Sequence, residues 1–168
     1  SIFAKRNLIC RLPYLVTYAD DFILPYLNEL LDFIEEVLDM VPYDPITPFD
    51  KANRKSGERC DRMIRISVMK TIQKLTKYDI IGNIPRFNKL LHSILKQTKL
   101  NSHPAVQVTV VKTLKKLFKA FPLMKNEGYD VIETQSALLQ LAKDTNNHNT
   151  HKAILQFFGT IGPSDPHC

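Results

Sequence analysis

Ile64-Arg-Ile-Ser-Val-Met-Lys-Thr-Ile-Gln-Lys-Leu75 decides the fold, because its spacing returns twice further along the chain. Ile64-Arg65, Val68, Ile72 and Leu75 are matched by Val106-Gln107, Val110, Leu114 and Leu117, and then by Thr150-His151, Ile154, Phe158 and Ile161, with starts 42 and 44 residues apart. Positions 0, 4, 8 and 11 fall within an arc of about 80° on a helix, so each copy carries one apolar stripe. A single helix pair cannot bury such a stripe, and stacked pairs can. A period of roughly 40 to 47 residues that opens on an amphipathic helix is the pattern of HEAT or armadillo repeats. The expected fold is therefore all-α, a HEAT/armadillo-like right-handed superhelix of three to four helix pairs.

Working outward, the chain divides into a first helical repeat over 1–41, a Pro-rich and charged loop over 42–58, repeats over 59–101 and 102–147, and the opening helix of a further repeat over 148–168. Pro13 separates two short helices at the start. Leu27, Leu30, Leu31, Ile34, Val37 and Leu38 recur at helical spacing, with Glu29, Asp32, Glu35, Glu36 and Asp39 on the other side and Pro25 in the first turn. Pro42, Pro45, Pro48 and Gly57 interrupt any period, and a connection of about 16 residues is expected to be disordered unless it has a function. Pro85 to Thr98 and Val131 to Lys143 supply partner helices. Ser102 is the expected cap of the helix that begins near Pro104. No segment alternates with a period of two.

Composition excludes more than it assigns. The 168 residues are 44% hydrophobic with net charge +6, enough for one packed unit that tolerates acidic partners. The cysteines, Cys10, Cys60 and Cys168, are odd in number and widely spaced, as expected of free thiols in a reducing compartment. No run has the length of a membrane span, and no signal-peptide pattern follows Ser1. The expectation is an intracellular protein, most simply cytoplasmic with the nucleus open, and a segment of something longer.

Chemistry-bearing groups are sparse. Lys112, Lys115, Lys116 and Lys119 share one helix face opposite Val106, Val110, Leu114 and Leu117. They form either the solvated back of an amphipathic helix or an interaction surface that tracks phosphates or anionic lipid, and no aromatics interleave with them as on a single-strand stacking platform. Acidic residues interrupt the basic loop residues from Lys51 to Arg62. His148, His151 and His167-Cys168 lack a recognised zinc spacing. Cys60 lies between Arg59 and Arg62 but has no evident base. Asp20-Asp21 and Glu35-Glu36 are adjacent in sequence and point apart on a helix. No phosphate-binding G-x-x-x-x-G-K-S/T loop occurs. Neither a catalytic site, nor a metal, nor a cofactor is expected in this segment.

The last repeat ends Gly159-Thr-Ile-Gly162-Pro-Ser-Asp165-Pro166, and this G-x-x-G-x-x-D-P pattern after an apolar helix resembles a segment in the helical solenoid of the phosphatidylinositol 3-kinase-related protein kinases, most closely the target of rapamycin (TOR) branch. Gly128-Tyr-Asp-Val-Ile132 with Leu138-Leu-Gln-Leu141, and Leu24-Pro25-Tyr26-Leu27-Asn-Glu29-Leu30, are similar to neighbouring parts of the same region. Pro163 and His167 stand where that family more often has a small apolar residue and an aromatic one, which leaves a divergent member or a checkpoint kinase of the superfamily equally open.

The resemblance implies a non-catalytic scaffold segment of a large serine/threonine protein kinase in growth and nutrient signalling. Its partners would be proteins, either a regulatory subunit or a second copy of the parent chain, and any ATP and Mg²⁺ would bind elsewhere. Gly159, Gly162, Asp165 and Pro166 would be structural, with Gly159 at a left-handed helix stop. The alternative readings are an independent HEAT-type adaptor or transport scaffold for a peptide or acidic partner and, further off, a basic repeat that binds nucleic acid.

Overall fold

The computed structural model describes residues 2–100 and 103–161. The regular structure of these residues is helical, with no strand among them. In chain order they form α1 (Ile2–Ile9), α2 (Leu12–Ala19), a 3-10 turn (Asp20–Tyr26), α3 (Leu27–Asp39), α4 (Pro48–Ala52), α5 (Arg54–Leu75), α6 (Ile84–Leu100), α7 (Pro104–Ala120), a second 3-10 turn (Pro122–Lys125), α8 (Val131–Asp144) and α9 (His148–Ile161).

The helices lie in two rows. In one, α5 packs on both α1 and α2, then on α7, and α7 packs on α9; in the other, α3 packs on α6 and α6 on α8. Contacts α3 to α5, α6 to α7 and α8 to α9 join the rows. Neighbours within a row run parallel. Arg86 of α6 meets Asp32 at 2.7 Å and Lys96, further along, meets Asp39 at 3.0 Å, so residue numbers rise together on α3 and α6. The core between the rows holds the repeated stripe: Ile64, Val68, Ile72 and Leu75 are buried, as are Val106, Val110, Leu114 and Leu117. In the third copy Phe157, 0% exposed, takes the core position in place of Phe158, which is only partly buried.

Side-chain bonds between neighbouring helices count out the period. Gln73 donates to Thr113 across 40 residues, Thr150 donates to Gln107 across 43, and Asn88 donates to the Gly128 carbonyl across 40. The first step is longer: Ser67 to Cys10 spans 57 residues, Tyr78 to the Asp20 carbonyl 58, and Lys96 to Asp39 57. The excess is the insertion between α3 and α5.

That insertion differs from the loop expected over 42–58. Thr47 caps α4 by accepting the Asp50 amide at 3.0 Å, the Asp50 carboxylate accepts the Thr47 amide at 3.2 Å, and Pro48 occupies the first turn. This reciprocal capping box orders a short helix that hydrophobic periodicity alone does not reveal. The opening helix of the next repeat then begins at Arg54, ahead of the expected residue 59. The Tyr43 ring lies against the α5 backbone at Gly57, in the space a Cβ would fill. Elsewhere, Pro25 falls inside the first 3-10 turn and α3 starts two residues later. Gly159 lies within α9 without positive φ, so it is no left-handed stop, and Gly162, Asp165 and Pro166 lie outside the described residues.

The residue after each repeat start is polar, and the fold uses it. Arg65 is 0% exposed. Its Nε donates to Asp61 at 3.1 Å, Nη1 to the Leu38 carbonyl at 3.1 Å and to Gln97 Oε1 at 2.8 Å, and Nη2 to the Met40 carbonyl at 2.8 Å. Gln97 in turn donates to the Leu38 carbonyl at 2.7 Å. One guanidinium therefore satisfies carbonyls at the end of α3, which no helix bond can reach, and joins α3, α5 and α6. In the third copy His151 Nε2 bonds the Ala142 carbonyl, in the last turn of α8, at 2.9 Å. Removing one member of a buried ion pair costs about 3–5 kcal/mol, whereas an apolar replacement of both restores much of it. Urea unfolding of Arg65→Met is expected to show a loss of that size, and Arg65→Met/Asp61→Leu to recover part of it.

Candidate interaction surface

Helices α7 and α9 contain no acidic residue. On α7, Lys112, Lys116 and Lys119 are exposed and Lys115 is partly buried. Among the described residues none of the four has a carboxylate within salt-bridge reach, whereas Lys89 meets Glu35 at 3.5 Å and Lys96 meets Asp39 at 3.0 Å in the other row. The four lysines border an open depression of ≈ 600 Å³ completed by Gln73 and Thr76 of α5 and by Ala120, Ala153 and Gln156. A second depression of ≈ 510 Å³ shares Lys112, Ala153 and Gln156 and continues to Pro104, Val108 and Asn149. Together they follow α7 from its first residue to its last.

The stripe expected from sequence is thus brought together on one face, and neighbouring α5 extends it. Lys70, Lys74 and Lys77 stand 42 residues before Lys112, Lys116 and Lys119, and all three are exposed. Only Lys77 is engaged, with Asp20 at 3.9 Å and the Val16 carbonyl at 3.4 Å. The acidic residues collect on the opposite row, where Glu29, Asp32 and Glu36 of α3 are exposed and Glu35 is buried.

Among the described residues, the other candidate groups do not come together in one site. His151 is bonded to Ala142, and His167 and Cys168 lie outside the described residues. Cys60 is buried within α5, and Cys10 and Cys60 are free thiols. Glu35 and Glu36 point apart, one buried and one exposed, as their adjacency requires. No described helix is long and apolar enough to cross a membrane.

One cluster has no sequence signal. His92 Nε2 lies 2.9 Å from Asp130 and its Nδ1 3.3 Å from Glu133, linking α6 to the start of α8. Asn88 sets this up by donating to the Gly128 carbonyl at 2.7 Å and accepting the Asp130 amide at 3.1 Å, with Gly128 at φ 100. These three groups are close enough to ligate an ion, but each ring nitrogen faces its own carboxylate, which makes the cluster a clamp between helices. The partners lie 38 residues or more apart on different elements, so no local spacing betrays them.

Two titrating groups give the structure a pH signature. His103 caps α7, its Nδ1 accepting the Ala105 amide at 3.2 Å, and the expected cap Ser102 lies outside the described residues. Burial, and then the charge of Arg62, lower its pKa below 6.5. The neutral ring is favoured when folded, so its contribution is complete above 6.5 and is lost as pH falls through the lower folded value. His103→Asn keeps an acceptor without titrating, and urea titrations from pH 7.5 to 5 are expected to show wild type losing stability relative to this variant.

Glu35 behaves oppositely in sign. Burial raises its pKa above 4.5, and Lys89 and Arg86 only partly offset this. Ionising it costs stability as pH rises through the folded value. Glu35→Gln is therefore expected to exceed wild type in stability at pH 7, with the difference vanishing toward pH 4 on the same titration.

No family model, curated protein or solved structure matches the chain.

Proposed function

We propose that this chain is a segment of a HEAT-type helical-repeat scaffold, whose work is to hold and position another protein. The observation that carries the proposal is the near-equal spacing of the bonds between neighbouring helices of one row: Gln73 bonds Thr113 across 40 residues and Thr150 bonds Gln107 across 43. Parallel helices stacked at one period produce extended surfaces, and such surfaces suit recognition. The apolar outer face of α2 and the turn after it supports the same reading. Tyr14, Leu15, Tyr18 and Phe22 are 69, 60, 83 and 86% exposed there, where an end-capping repeat has a polar face and a stacking one an apolar face.

In its wider form the proposal takes the segment as a non-catalytic part of a large serine/threonine protein kinase similar to target of rapamycin. That form is supported by the G-x-x-G-x-x-D-P resemblance, of which Gly159 alone is among the described residues. Affinity purification of the full-length parent, with mass spectrometry of the parent and its partners, tests both forms. A very large polypeptide with a C-terminal kinase domain is the result expected of the wider form. A smaller repeat protein recovered with stoichiometric partners supports an adaptor, and recovery without any protein partner overturns the scaffold.

A further inference from the structure

The groove along α7 combines two properties that restrict what fits it. Its lining combines four lysines with Ala120, Ala153 and the aliphatic stems of the lysines themselves, and its polar remainder, Gln73, Thr76 and Gln156, is uncharged. No acidic residue lines the groove, so its lysines have no carboxylate among the lining side chains. At 1.5 Å per residue, α7 from Pro104 to Ala120 spans about 25 Å, the length of a partner helix of four to five turns.

We infer that this groove is the docking site for an acidic amphipathic segment of a partner protein, one that sets Asp and Glu against the lysines and small apolar side chains against the alanines. The inference rests on the scaffold reading and names its partner class. Three features favour a protein over a nucleic acid. The lining contains no aromatic residue on which a base would stack. It contains no arginine, the side chain whose planar fork matches phosphate: Arg65 is buried in the core, Arg86 is paired with Asp32, and Arg54 with Glu58. The apolar part of the lining also gives nothing to a sugar-phosphate backbone, whereas alanine or leucine on one face of a helix would be desolvated against it. Lys70 and Lys74, one repeat earlier and exposed, extend the same positive field and steer an acidic segment toward the groove.

The test is selection of a randomised 16-residue peptide library against the 168-residue chain at physiological salt, followed by affinity measurement of the enriched peptides. Binding is compared across wild type, Lys112→Glu/Lys116→Glu/Lys119→Glu, and a control with the same change in net charge elsewhere, Lys5→Glu/Lys55→Glu/Lys143→Glu. The expected result is enrichment of peptides that alternate acidic and apolar residues at helical spacing. Their affinity is expected to fall by about tenfold or more in the groove variant and to hold within about twofold in the control. Circular dichroism of both variants verifies that they are folded, which exposed lysines permit.

No enrichment, enrichment of neutral or basic peptides, or equal loss in both variants overturns the inference. A twenty-nucleotide oligothymidine that displaces the selected peptides at lower concentration overturns it in favour of nucleic acid. Concentration-dependent self-association abolished by the groove variant overturns it in favour of a second copy. Each of these failures leaves the scaffold reading to be judged by what the parent chain recovers.

Discussion

The guanidinium of Arg65 is the constraint on which the first half of the structure depends. A cation with no solvent exposure is costly in a protein interior unless it is paired and each of its donors is met. Asp61, one turn earlier on the same helix, supplies the charge, and the carbonyls of Leu38 and Met40 with the Gln97 amide oxygen supply acceptors from two other helices. Burial of Arg65 is therefore tolerable only when α3, α5 and α6 occupy one mutual arrangement. Apolar stripes alone would allow these helices to slide by a turn, and the polar network penalises each such slip.

The two rows differ chemically as well as in position. The row of α3, α6 and α8 pairs its charges across neighbouring helices, as in Arg86 with Asp32, Lys96 with Asp39 and Lys89 with Glu35. The row of α5, α7 and α9 joins its helices instead through neutral bonds such as Gln73 to Thr113 and Thr150 to Gln107, leaving the lysines of α7 uncommitted. One surface pairs its charges between helices and the other leaves its lysines without carboxylate partners, an asymmetry that the overall charge does not reveal.

What the sequence reveals, and what it conceals, follows from the range of each interaction. α5, α7 and α9 are legible because their apolar residues recur within a few turns, and the lysine stripe is legible for the same reason. The role of Arg65 is not, because an arginine inside an apolar stripe reads locally as a break in it, and its acceptors lie up to 32 residues away. The clamp of His92 with Asp130 and Glu133 is hidden for the same reason. α4 escapes notice because a capping box rather than periodicity makes it, and the cap at His103 escapes notice because imidazole is not among the usual capping side chains. Pro25, compatible with the first turn of an α-helix, is here accommodated in a 3-10 turn, and residue preference alone does not separate the two.

The unequal step between stacked neighbours also bears on how the chain folds. Within a row, the bonds from α5 onward close over 38 to 43 residues, whereas those that join α1, α2 and α3 to the next helices of their rows close over 53 to 61. By polymer statistics the difference in closure entropy is only about 0.3 kcal/mol, so the insertion is nearly neutral at equilibrium. Arg65 nevertheless ties the end of α3 to α5 over only 25 to 27 residues, so the insertion lengthens the step within each row while the step between the rows stays short.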